Sequence, residues 1–117
     1  MIPFDYSLCD QPVTCYRQDA GEYTRRVIPR AYLSARVSTP TESYGKSRTK
    51  EFLLIIPGDV PIRPGDRIFR GIGPETVDWQ RFVPDLVPQL YTVSFSKPCC
   101  WDGAVVHWEA GNRKEHL

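Results

Sequence analysis

Three groups of residues have types and spacings that could do chemistry. The stretch "RPGDRIFRGIGPE", residues 63–75, contains Gly71-Ile72-Gly73, which invites comparison with a phosphate-cradling loop. Such fingerprints need a strand, a glycine-rich turn and a helix inside a βαβ unit. Here the third glycine is missing, no Lys-Ser or Lys-Thr follows, and the surrounding chain offers no parallel sheet. A tight turn feeding a strand fits better. Pro64-Gly65 suits a turn that needs a positive φ, and the Asp66 side chain can bond its own turn backbone. Gly65, Asp66 and Phe69 are therefore expected to be scaffold. Arg67 and Phe69 should point to one side of the strand and Ile68 and Arg70 to the other.

The stretch "VVHWEAG", residues 105–111, sets His107 and Glu109 two apart, on one face of a strand. That pair could bind a metal or exchange a proton. A catalytic base needs a positioned partner, however, and the other histidine, His116, lies in the tail. The expectation is that Val106 and Trp108 lie in the core and His107 and Glu109 on the polar face. The third group is Cys9, Cys15, Cys99 and Cys100. One pair is six apart and the other adjacent, whereas zinc knuckles space their thiolates two to four apart. Neither a CxxC redox spacing nor a GxSxG nucleophile elbow is present. Half-buried, reduced thiols are expected, with no cofactor, no metal and no catalysis.

The elements that must position these residues are short. At 117 residues the chain suits one domain. Eleven prolines and eight glycines cut it into pieces that argue against a helical bundle. Residues 1–11 read as an arm without the basic and long apolar regions of a signal peptide, which leaves the protein in the compartment where it is made. Strands are expected over residues 12–18, over 23–38 with a bend or bulge at Pro29, and over 50–57, 67–71, 90–96 and 104–110. Residues 19–22 form a turn, and 97–103 a loop. Trp79, Phe82, Val83 and Leu86 fall at i, i+3, i+4 and i+7, which predicts one short helix over 78–86, ended by Pro84. Trp79, Phe82 and Trp108 are the expected aromatic core residues. The polar stretch 39–49 reads as a long exposed loop and 111–117 as a charged tail. The fold expected is all-β: a small antiparallel β-barrel with one short helix and a long inter-strand loop.

A net charge of +1 gives no global field toward DNA or an anionic membrane, and no apolar run is long enough to span a bilayer. Basic residues do cluster locally: Arg25, Arg26 and Arg30, then Lys46, Arg48 and Lys50, with Tyr23, Tyr32 and Tyr44 interleaved. An oligonucleotide-binding barrel is one reading of that pattern.

Four segments resemble a known family. They are "VTCYRQ" (residues 13–18), "IRPGDRIFRGI" (62–72), "YTVSFSKP" (91–98) and "VVHWEAGNR" (105–113). Between them they span residues 12–113 at a spacing similar to that of the head-completion or stopper proteins of long-tailed bacteriophages and prophages. These are head–tail connector subunits, often labelled minor capsid proteins. The helix segment occurs in only some such proteins, and the cysteines are not part of the pattern. The resemblance implies a structural virion protein that forms a homo-oligomeric ring between the portal or adaptor and the tail proteins and helps retain DNA. It also implies that the loop carrying Tyr44, Lys46, Arg48 and Lys50 faces the channel DNA or a neighbouring subunit, and that the termini are arms ordering on assembly. The location implied is the virion neck, with assembly in the host cytoplasm and no membrane partner. The alternative is a small β-barrel that binds nucleic acid.

Overall fold

A computed structural model describes residues 5–38 and 49–112. After a 3-10 turn at Tyr6–Leu8 come seven strands: β1 Gln11–Asp19, β2 Glu22–Ser38, β3 Thr49–Pro57, β4 Arg67–Arg70, β5 Leu90–Thr92, β6 Phe95–Trp101 and β7 Ala104–Gly111. All pair antiparallel in one sheet of order β5-β4-β1-β2-β3-β7-β6, curled into a half-barrel. The all-β class expected from the short, turn-punctuated strands is what forms.

Local chemistry explains the joints. Ala20 and Gly21 between β1 and β2, and Asp102 and Gly103 between β6 and β7, all take positive φ (55°, 84°, 55° and 80°). Two such residues make the hairpin turn whose twist matches that of paired strands. At Pro29 the β1–β2 register moves from Gln11↔Ala31 to Val13↔Ile28, so β2 bulges where proline has no N–H to give. The loop expected over 97–103 is instead most of β6. Pro98 misled the sequence reading because proline is tolerated on an edge strand, and β6 pairs only with β7. The strand expected over 90–96 divides into β5 and the start of β6, which lie on opposite edges of the sheet. The linking Val93 N–H donates to Asp66 O, and the Ser94 N–H donates to Gly111 O, closing one end of the curl.

β1 is buried on both faces. Val13 and Cys15 join Ile28, Leu33, Leu54, Ile56, Ile62, Ile68 and Val93 in the main core inside the curl. Tyr16, on the opposite face, packs with Phe82 and Leu90, flanked by Phe69, Tyr23 and Trp79. The strap that covers this second face, residues 71–89, contains no helix, which corrects the expectation for 78–86. Phe82 N–H reaches Asp78 O and Val87 N–H reaches Val83 O, each a single isolated turn. Pro84 separates them, because it has no N–H for the Gln80 carbonyl and its ring crowds that group. Phe82 is buried and Leu86 is 64% exposed.

Trp108 also departs from expectation. It pairs with Ile56 but lies at the rim, half-buried, its indole N–H donating to Asp59 Oδ1 at 2.9 Å. His107, expected on a polar face, is 5% exposed. The segment read as an arm packs from Asp5 onward on the outer face of β3 and β7. There Cys9 is fully buried with its thiol toward Ile55 O, and Arg30 donates to Cys9 O and Tyr6 O.

Candidate functional site

The glycine-rich stretch that opened the sequence reading is committed internally. Gly71 N–H donates to Pro12 O and Gly73 N–H to Thr14 Oγ1, while Thr14 Oγ1 donates to Gly71 O. These amides hold the strap to β1, so neither glycine N–H is turned toward an external anion. Gly65 takes φ 95° in an exposed turn. Asp66 is 2% exposed and accepts from Arg63 N–H at 2.9 Å, from Arg17 through Nε (3.0 Å) and Nη2 (2.9 Å), and from the Cys15 thiol at 3.6 Å. The bond to Asp66 raises the Arg17 pKa. An open cleft of about 270 Å³ lies over this turn, bordered by Arg17, Arg63, Arg67 and Trp79.

The basic residues that suggested nucleic acid are largely spent on the protein's own carbonyls. Arg25 donates to Gly73 O and Pro74 O, Arg26 to Pro61 O, and Arg30 to Cys9 O and Tyr6 O; Arg67, outside those clusters, likewise donates to Trp79 O and Phe82 O, both at 2.7 Å. Arg67 also lies 3.8 Å over the Trp79 ring. Tyr23 stacks on Trp79 and its hydroxyl accepts from Val77 N–H, so its ring is covered. Phe69 stacks on Phe82.

Tyr44, Lys46 and Arg48 lie outside the described residues. Lys50, which was grouped with them, sits in β3 and does not point away from the molecule. Its Nζ donates among the carbonyls of Pro84 (3.0 Å), Val87 (3.3 Å), Pro88 (3.0 Å) and Leu90 (3.2 Å). Burial pulls its pKa down and Asp85 opposes this. The four carbonyl dipoles hold the charge where it is. Lys50, paired with Val37, therefore pins the strap to the β2–β3 hairpin one pair from its described end. The last four pairs of that hairpin, from Ala35↔Phe52 to Ser38↔Thr49, have no ladder partner in β1 or β7 and form a two-stranded ribbon, whose base is held by Phe52 in the core and by Asn112, which bonds Phe52 N–H and Lys50 O.

The remaining site is on the outer face of β6 and β7. Ligand atoms of Cys99, His107 and Glu109 all lie within 4.8 Å of one another. His107 Nε2 is 3.1 Å from Glu109 Oε2, and His107 Nδ1 is 2.5 Å from the Tyr6 hydroxyl. Lys97 Nζ is 3.9 Å from Glu109 Oε1. Burial, then the bond to Glu109 and its charge, push the Cys99 thiol up to about 11. A thiol so placed is not an activated nucleophile. For Glu109, burial acts upward, but the bonds from His107 and Cys99 and the charge of Lys97 outweigh it and lower the pKa.

The sequence placed His107 and Glu109 on one face and offered the cysteines as remote partners for them, but did not single out Cys99 or point to Tyr6. The Asp102-Gly103 hairpin sets Trp101 opposite Ala104 and Cys100 opposite Val105, so regular pairing would put Cys99 opposite Val106, facing away from His107. A register shift between Cys99 and Cys100 puts Cys99 opposite His107 instead. Tyr6 arrives from 101 positions away with no sequence signal. Comparison of the chain with protein-family models, with curated proteins and with solved structures finds no match.

Proposed function

We propose that this protein is a structural subunit of a phage or prophage head–tail connector, a head-completion or stopper protein. In this reading it forms a ring between portal or adaptor and tail and helps retain DNA. The observation that carries it is the β2–β3 hairpin: its last four pairs run past the ladders of β1 and β7, and Lys50, one pair from their described end, ties them to the strap. A ribbon held this firmly can carry residues 39–48, with Lys46 and Arg48, into a channel or onto an adjacent subunit. The four segments that resemble connector proteins point to the same reading from sequence. Ring assembly needs heterologous contacts, in which one patch meets a different patch of the next copy. A nucleic-acid-binding barrel has less support, because Arg25, Arg26, Arg30 and Lys50 of the basic clusters donate to the protein's own carbonyls.

The test is to purify particles from the phage or induced prophage that encodes the chain, and to image the neck by electron microscopy. The expected result is ring density of this fold beneath the portal, with residues 39–48 directed inward or against the next subunit. Complete particles lacking the protein, together with salt-dependent binding of short oligonucleotides by the isolated monomer, would overturn the proposal in favour of the nucleic-acid reading.

A further inference from the structure

We propose that Cys99, His107 and Glu109 form a site for one transition-metal ion, zinc(II) foremost, that clips β6 to β7 and keeps a coordination position open to solvent. The inference is independent of the connector reading. Three observations carry it. First, a thiol, an imidazole and a carboxylate converge within 4.8 Å. That donor set suits zinc and excludes calcium and magnesium, which select oxygen. A tetrahedral zinc ion sets its ligand atoms about 3.3–3.8 Å apart. His107 Nε2 and Glu109 Oε2 are already 3.1 Å apart, so small side-chain rotations suffice.

Second, the convergence depends on an irregularity. Only the register shift in the β6–β7 ladder brings Cys99 onto the face of His107 and Glu109, and leaves Cys100 opposite Val105 on the other face. Bulges that re-aim one side chain are characteristic of functional sites.

Third, the imidazole has an orienting partner outside the donor set. Tyr6 meets Nδ1, which aims Nε2 at the site, the arrangement that ligating histidines require of their second nitrogen. A phenol hydroxyl both donates and accepts. Without metal, Nε2–H donates to the Glu109 carboxylate and the Tyr6 O–H donates to Nδ1. With metal, the Nε2 lone pair goes to the ion, the imidazole proton resides on Nδ1, and the Tyr6 oxygen accepts it. The Cys99 thiol gives its proton to solvent and binds as thiolate. Cys99 and Glu109 are only partly buried, which leaves the fourth position to water.

Cobalt(II) titration of the reduced, full-length protein tests the assignment. Expected is saturation at one equivalent with a thiolate-to-cobalt charge-transfer band, displaced by zinc and not by magnesium or calcium. Cys99→Ser should abolish the band, and Glu109→Gln and Tyr6→Phe should each weaken binding about 10- to 100-fold. Cys100→Ser should change nothing. Circular dichroism checks that Cys99→Ser is folded. If it is not, X-ray absorption of the zinc-loaded wild-type protein decides, with one sulfur and otherwise nitrogen or oxygen neighbours expected. No charge-transfer band, a band that survives Cys99→Ser, or two sulfurs at zinc would each overturn the proposal.

Discussion

Val13 and Cys15 on one face of β1 are covered by other strands, whereas Thr14 and Tyr16 on the opposite face are covered by a strap with almost no regular structure. Strands satisfy one another's backbone groups through the ladder, so the core inside the curl needs only apolar side chains of suitable volume. The strap holds Pro74, Pro84 and Pro88 and makes only single turns, so most of its carbonyls have no partner in the strap itself. Buried carbonyls must be paired. Here Arg25, Arg67, Lys50 and the Tyr16 hydroxyl meet them. A cluster of basic residues in a sequence can thus be the complement of irregular backbone inside the same molecule, with no external anion involved.

The contrast can be broken at defined points. On the strand-covered side, Arg17→Met strands the buried Asp66 carboxylate and should cost about 4 kcal/mol, read from urea denaturation. A loss under about 1 kcal/mol would place the pair in the class of solvent-screened surface bridges. On the strap side, Phe82→Ala should cost about 3 kcal/mol. Its amide-exchange signature should be confined to the strap, because residues 71–89 can detach as a unit. Leu54→Ala should raise exchange across all central strands. Equal exchange patterns in the two variants would show one cooperative unit instead of two.

Lys50→Met removes the cation from four carbonyls and should cost about 2 kcal/mol, while loosening both the strap and the outer pairs of the β2–β3 hairpin. Thermal denaturation gives the first effect and exchange at β2–β3 gives the second. The pH dependence supplies a further handle on the strand-covered side. Burial, then the charge of Asp66, push the Cys15 thiol from 9.0 up to about 12. Its contribution to stability is complete below pH 9 and is lost as pH rises toward 12, because the unfolded thiol ionises first. The slope is about 1.4 kcal/mol per pH unit for one such thiol. Cys9 and Cys99 act in the same direction. Cys15→Ala should flatten the alkaline decline by one thiol's share, and an unchanged slope would sink this attribution.

Legibility followed the range of the forces. The alternation in "PVTCYRQ", the turn at Ala20-Gly21 and the disruption at Pro29 are local and were readable from steric preference alone. The helical spacing of Trp79, Phe82, Val83 and Leu86 was equally readable and misleading, since one prolyl ring outweighs four apolar positions. Asp66 was legible as a turn residue. Its Arg17 partner was not, because the two are 49 positions apart.

By itself the sequence determined the all-β class, most strand positions and the tight turn between β1 and β2, because backbone sterics and alternating polarity act over a few residues. Tertiary structure alone decided the rest. It gave the basic side chains to the strap's carbonyls. It turned Cys99 toward His107 through one extra residue in a ladder, and it buried His107 beneath Tyr6. Those outcomes depend on which groups must find a hydrogen-bond partner once water is gone, and that is settled only when distant segments meet.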